Sequence, residues 1–256
     1  MKKKLLIYIL VLIFLFFVGC TNEMEMLEDN STLKAGNERL FMPDSLRDLI
    51  EYDRNSMDQY SIRKIENILE LLYTFPETNK MLNSLKDGLK VKMEITGGSS
   101  SLGEAWYDPI YPPKIGFLRE DCITMENVLH ELLHHYAMYN YVPYRDGVIP
   151  ACEEYEVRVL TDVIMQKYCA NCDFKYQGMS PDEGLFYQPY IDWINNLINT
   201  SSFDKFLFGI EFKKYGTICI MNLQYNDKTT HDILQINDLN YYIPLLLETF
   251  LFNFKR

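Results

Sequence analysis

The sequence predicts an α+β fold, mainly helical, in which a small antiparallel sheet precedes a central helix. Three observations point there. Between residues 43 and 89, apolar side chains recur every three or four positions in three successive runs, the period of a helix with one buried face. Short alternating pieces follow at 91–96, 105–107 and 114–118, the pattern of half-buried strands. From Thr124 to Tyr136 the helical period returns, with no Gly or Pro before Pro143.

The chain opens on a segment that belongs to none of these. Lys2, Lys3 and Lys4 precede an unbroken apolar run from Leu5 to Val18, too short for a comfortable membrane span and suited to a signal sequence. It ends Phe17-Val18-Gly19-Cys20, which resembles a bacterial lipobox, with Phe17 and Val18 departing from the usual residues. That resemblance implies a signal peptide at 1–19 and lipid on Cys20. It also implies a mature chain exported and anchored to the cell envelope, at the outer membrane or cell surface. A retained membrane-spanning anchor is the alternative, and it exports the remainder equally. Residues 20–40 are polar and acidic and read as a flexible tether, leaving 41–256 as one domain.

Composition supports a packed domain: 48% of the 256 residues are hydrophobic and 14% aromatic. Cleavage before Cys20 removes three lysines and no acid, taking the formal charge from −11 to −14. A surface that acidic argues against nucleic acid as a partner. Five cysteines remain beyond Cys20, an odd number that cannot all pair. Cys169 and Cys172 form a CxxC without a second such pair. It reads as structural, as free thiols or one disulfide, more readily than as a redox centre.

Within the domain, Asp44 or Ser45 caps a short helix through Leu46, Leu49 and Ile50. Ser61 caps a second that carries Ile62, Ile65, Ile68, Leu69 and Leu72 and stops before Pro76. A third runs from about Thr78 to Gly88. Residues 97–103 form a Gly/Ser loop lacking the Gly-Lys-Ser/Thr ending of a phosphate loop. Thr124 is the N-cap of the central helix, and Glu126 sits in its first turn. A second long helix spans 151–168. Ser180-Pro181-Asp182-Glu183 is a capping box opening another helix over 185–198, with Pro189 able to split it. Further helices are expected from Ser202 or Asp204 through Ile210, and over 241–254; residues 217–225 fit strand or helix equally.

The chemistry is concentrated in the central helix. Three of the chain's four histidines, His130, His134 and His135, lie there, and His130-Glu131-Leu132-Leu133-His134 spells H-E-x-x-H. Residues four apart on a helix stand nearly above one another, so His130 and His134 aim two imidazoles at one point. Such a pair supplies two ligands of a tetrahedral zinc site. Glu131 is then placed to take a proton from zinc-bound water.

A catalytic zinc needs a third protein ligand and an open position. His135 points about 100° away from His134, and His231 lies in a remote polar stretch. Glu153, Glu154 and Glu156, at the start of the second helix, are better placed. Glu153 lines up with Val157, Leu160 and Ile164 and faces the core, whereas Glu154 borders that face.

Over residues 90–170 the chain resembles the gluzincin branch of the zincin metallopeptidases. There a second helix carries a glutamate ligand in an E-x-x-[small]-[Asp/Asn] pattern. Glu154-Tyr155-Glu156-Val157-Arg158 is the matching register, with Val157 and Arg158 departing from it. The resemblance implies a zincin-like core and zinc held by His130, His134 and Glu154, with Glu153 the second choice. It also implies Glu131 as the general base for hydrolysing a protein or peptide substrate. An acid that usually steadies a ligand histidine is missing at Arg158; Asp162, one turn on, is a weak substitute. The oxyanion donor is not identifiable among 19 tyrosines, Tyr144 and Tyr155 being candidates by proximity alone. The rival reading is an envelope lipoprotein that binds zinc and a partner without catalysis. It leaves the acid at Glu131 unexplained.

Overall fold

Where each element starts and stops follows from a few capping and proline positions. The computed structural model describes residues 44–86, 88–97, 104–140, 151–169, 174–200, 204, 206–214 and 245–252. The expected signal peptide, Cys20, the tether, Tyr144, Cys172, His231 and the stretch 217–225 lie outside them. All described elements belong to one unit, residues 41–256.

The first helix, α1 (Asp44–Arg47), is shorter than the apolar spacing suggests. Ile50 leaves it for strand β1 (Ile50–Tyr52). A single helical turn holds itself poorly, whereas β1 gains a ladder: Val91 donates to the Leu49 carbonyl and Asp53 to that of Met93. Helix α2 (Gln59–Thr74) is capped by Asp58, whose carboxylate accepts from the Ser61 amide at 2.8 Å. Ser61, the expected cap, is instead buried inside the helix. Ile62, Ile65, Ile68, Leu69 and Leu72 form its buried stripe, each contributing about 1.5–3 kcal/mol on burial. Phe75 turns extended before Pro76, as a residue preceding proline must. Pro76 then opens α3 (Pro76–Leu85).

Strands β2 (Val91–Ile95), β3 (Ala105–Asp108) and β4 (Lys114–Phe117) complete a sheet of order β1-β2-β4-β3. It precedes the central helix as expected, but it is mixed rather than antiparallel. β1 pairs parallel with β2 and β2 with β4; only β3 and β4 run antiparallel. The link from β1 to β2 passes through α2 and α3, a crossover long enough to return the chain in the same direction. β3 therefore lies at the sheet edge. Gly116 lets the Trp106 ring lie across β4, since a Cβ there would stand 2.0 Å from it.

Helix α4 (Met125–Asn140) follows, with Thr124 Oγ1 accepting from the Asn127 amide at 3.3 Å. Every residue from Val128 to Ala137 is buried, the histidine face included. α4 packs against β3, α2, α3 and α5 (Ala151–Tyr168), which places it at the centre. Buried Glu77 on α3 ties down the end of α5 by accepting from Lys167 Nζ at 2.6 Å and from the Tyr168 hydroxyl.

Ser180 caps a 3₁₀ segment (Pro181–Phe186) rather than an α-helix, accepting from the Asp182 amide. Gly184, at φ +56°, breaks the path, a conformation glycine adopts freely. Helix α6 (Tyr187–Thr200) starts after it, so Pro189 falls in a first turn that tolerates a missing N–H. α7 (residues 206–214) buries Phe208 and Phe212, and α8 (Leu245–Leu247) continues into a π-helical turn (Glu248–Phe252). Among the described residues, no helix is long and apolar enough to cross a membrane.

Candidate metal centre

Helix α4 presents His130 and His134 from adjacent turns, and α5, packed beside it, presents Glu154. Their donor atoms converge. His130 Nε2 lies 3.1 Å from His134 Nε2, which lies 3.0 Å from Glu154 Oε2; Glu154 Oε1 is 3.6 Å from His130 Nε2. Ligands held 2.0–2.1 Å from one tetrahedral centre stand about 3.3 Å apart. One donor atom from each of the three side chains lies within 4.8 Å of the others, so the group could hold a metal ion.

The far nitrogen of each imidazole decides what the near one can do. His130 Nδ1 is 2.6 Å from the amide oxygen of Gln177. An amide oxygen only accepts, so Nδ1 carries the proton and Nε2 turns a lone pair toward the cluster. His134 Nδ1 faces Glu153 Oε1 at 3.4 Å, with the same consequence. Lone pairs of two imidazoles and a carboxylate at these separations repel one another unless positive charge sits among them. Electrostatics agrees. Burial disfavours charge on His134, yet the Glu153 and Glu154 carboxylates outweigh it and push its pKa up to about 10. A divalent cation satisfies the same field as that proton.

Glu131 is buried, and burial raises its carboxyl pKa above the ordinary value against the pull of His130 and His134. Among the described residues it makes no side-chain hydrogen bond. His134 is fully enclosed, whereas the Glu154 side chain is 26% exposed, so solvent reaches the site from that side.

The expected glutamates separate by role. Glu154 joins the histidines. Glu153, the second choice, sits behind His134 on Nδ1, where it orients the ring rather than facing the convergence point. Glu156 is buried and accepts from the Leu247 amide at 2.8 Å, so it supports α8. Tyr155, one of the two candidates by proximity, is buried and packs its ring on Phe208 and Phe212. His135 turns away as its helical angle requires. Leu89's carbonyl accepts from its Nε2, and the Tyr107 hydroxyl faces its Nδ1 at 3.1 Å. Cys169 is buried and disulfide-bonded.

One feature escapes a reading by motif. Along α5, Glu154, Arg158, Asp162 and Gln166 recur every four residues, and the last three grip the segment 176–178. Arg158 Nη1 donates to the Gln177 carbonyl, and Asp162 accepts from the Gln177 and Gly178 amides and from the Tyr190 hydroxyl. Gln166 accepts from the Tyr176 hydroxyl. Arg158 Nε also donates to Glu154 Oε1 at 2.6 Å. The signal available in sequence is the constant four-residue polar spacing along one helix.

β3 lies beside the centre: the Tyr107 ring stacks on His134 with centroids 6.3 Å apart. No family model, curated protein or solved structure matches this chain.

Proposed function

We propose that residues 41–256 form a zinc-dependent peptidase, and that the chain is exported and held at the bacterial envelope by lipid on Cys20. The observation that carries the hydrolase reading is the convergence of His130, His134 and Glu154 beside a buried carboxylate, Glu131, that no described residue occupies. His130, His134 and Glu154 would hold zinc, which would supply Lewis acidity toward a peptide carbonyl and toward water near neutral pH.

The remaining work falls to the protein. Glu131 accepts a proton from the attacking water on a carboxylate oxygen. As the C–N bond breaks, it delivers that proton to the leaving amine. Glu153 keeps His134 in the tautomer that ligation needs. β3 pairs with β4 on one side and is the terminal strand of the sheet. An extended peptide added along its outer edge would run past His134, with backbone hydrogen bonds setting its register.

Glu131→Gln keeps the shape of the side chain and removes the base. The variant should bind zinc as the parent does and lose about 10²–10⁴-fold in hydrolysis of a fluorogenic peptide mixture. Hydrolysis at the parental rate would refute Glu131 as the base. A parent protein that binds zinc stoichiometrically and cleaves no peptide would favour the non-catalytic lipoprotein.

A further inference from the structure

We propose that Gln177 is the positioning residue for His130, standing in for the acid that Arg158 displaces, and that Asp162 is built to hold it in place. The inference rests on the metallopeptidase reading above and assigns a role to a segment that reading does not use.

Position 158 carries a cation, which cannot accept a proton from an imidazole N–H. The acceptor comes instead from Gln177, 47 residues beyond His130, whose amide oxygen lies 2.6 Å from Nδ1. A side chain on an irregular segment positions a ligand only if its backbone is fixed, and here it is fixed at three points. The Gln177 carbonyl accepts from Arg158 Nη1 at 3.0 Å, its amide donates to Asp162 Oδ1 at 2.7 Å, and the Gly178 amide donates to Asp162 Oδ2 at 2.9 Å. Asp162 is fully buried and takes a third hydrogen bond from Tyr190 at 2.6 Å. Gly178 is required by proximity, since a Cβ there would lie 2.1 Å from the Tyr190 hydroxyl.

The chemistry also favours an amide over a carboxylate. A carboxylate, that of Glu153, already stands behind His134, so an amide behind His130 supplies the acceptor without a further acid. A neutral acceptor fixes the tautomer without adding charge, while Arg158 serves Glu154 and Gln177 together.

The test is zinc affinity by chelator competition on the full-length protein, with the thermal midpoint of each metal-free variant recorded alongside. Gln177→Leu removes the acceptor and should weaken zinc binding 10- to 100-fold without moving that midpoint. Gln177→Glu restores an acceptor and should recover most of the loss. Asp162→Asn removes an acceptor from the Gly178 amide and Tyr190. It should weaken zinc in the same direction, and its effect should not add to that of Gln177→Leu, because both act through one path. Parental affinity in Gln177→Leu would overturn the assignment, as would a Gln177→Glu variant no tighter than Gln177→Leu. Should Gln177→Leu not fold, Gln177→Ala takes its place, and parental zinc affinity in that variant overturns the assignment. A parent protein that takes up no zinc sinks the metal reading itself, a result distinct from all of these.

Discussion

His134 sits between two carboxylates that meet different nitrogens. Glu154 faces Nε2 on the cluster side, and Glu153 faces Nδ1 behind the ring. Substitution should therefore separate them. Glu154→Gln should abolish stoichiometric zinc uptake, whereas Glu153→Gln should retain it with affinity reduced 10- to 100-fold. Equal losses in a chelator titration would mean that the two roles are wrongly divided. His135, next in sequence, does a different job. Burial holds its pKa down at about 4, well below the value of about 6.5 for an exposed imidazole. Folding thus favours neutral His135, a stabilisation fully present above pH 6.5 and lost as pH falls toward 4, worth up to about 3 kcal/mol. Denaturant melts across that window should lose stability more steeply in the parent than in His135→Gln, and parallel pH profiles would contradict this.

At the scale of elements, α5 is the organising piece. One face of it contributes a ligand and then three successive grips on residues 176–178. Gly178→Ala should push that segment off Asp162, costing about 1–3 kcal/mol as overpacking does; an unchanged denaturation midpoint would show that the segment yields freely. The two site helices are legible in the sequence because helical period and ligand spacing coincide within α4 and recur at the start of α5. Strand direction is not legible, because alternation marks a strand without saying which neighbour it pairs with. The same limit hides β1: Ile50 continues the apolar spacing of α1, and only the ladder to Val91 draws it into the sheet. Glu153 and Glu154 cannot be told apart by period either, since the packing of α4 on α5 selects which nitrogen of His134 each one meets. Gln177 carries no motif at all and becomes visible only once the chain folds back along α5.

For the whole molecule, the buried centre and the acidic surface separate binding from targeting. Among the described residues, the groups that could hold a metal, His130, His134 and Glu154, lie within residues 130–154, with Glu154 partly exposed. The leader and Cys20 would act only as an address and an anchor. Cys20→Ala should move the protein from the detergent phase to the aqueous phase without changing its zinc affinity, and retention in the detergent phase would remove lipidation from the account. The central claim is a metal held by two imidazoles from one helix and a carboxylate from the next. X-ray absorption at the zinc edge of the loaded full-length protein tests it most directly. The spectrum should show two imidazole nitrogens and oxygen at about 2.0–2.2 Å, with imidazole scattering reduced in His134→Ala. Sulfur at about 2.3 Å, or a parental spectrum no different from aqueous zinc, would contradict it.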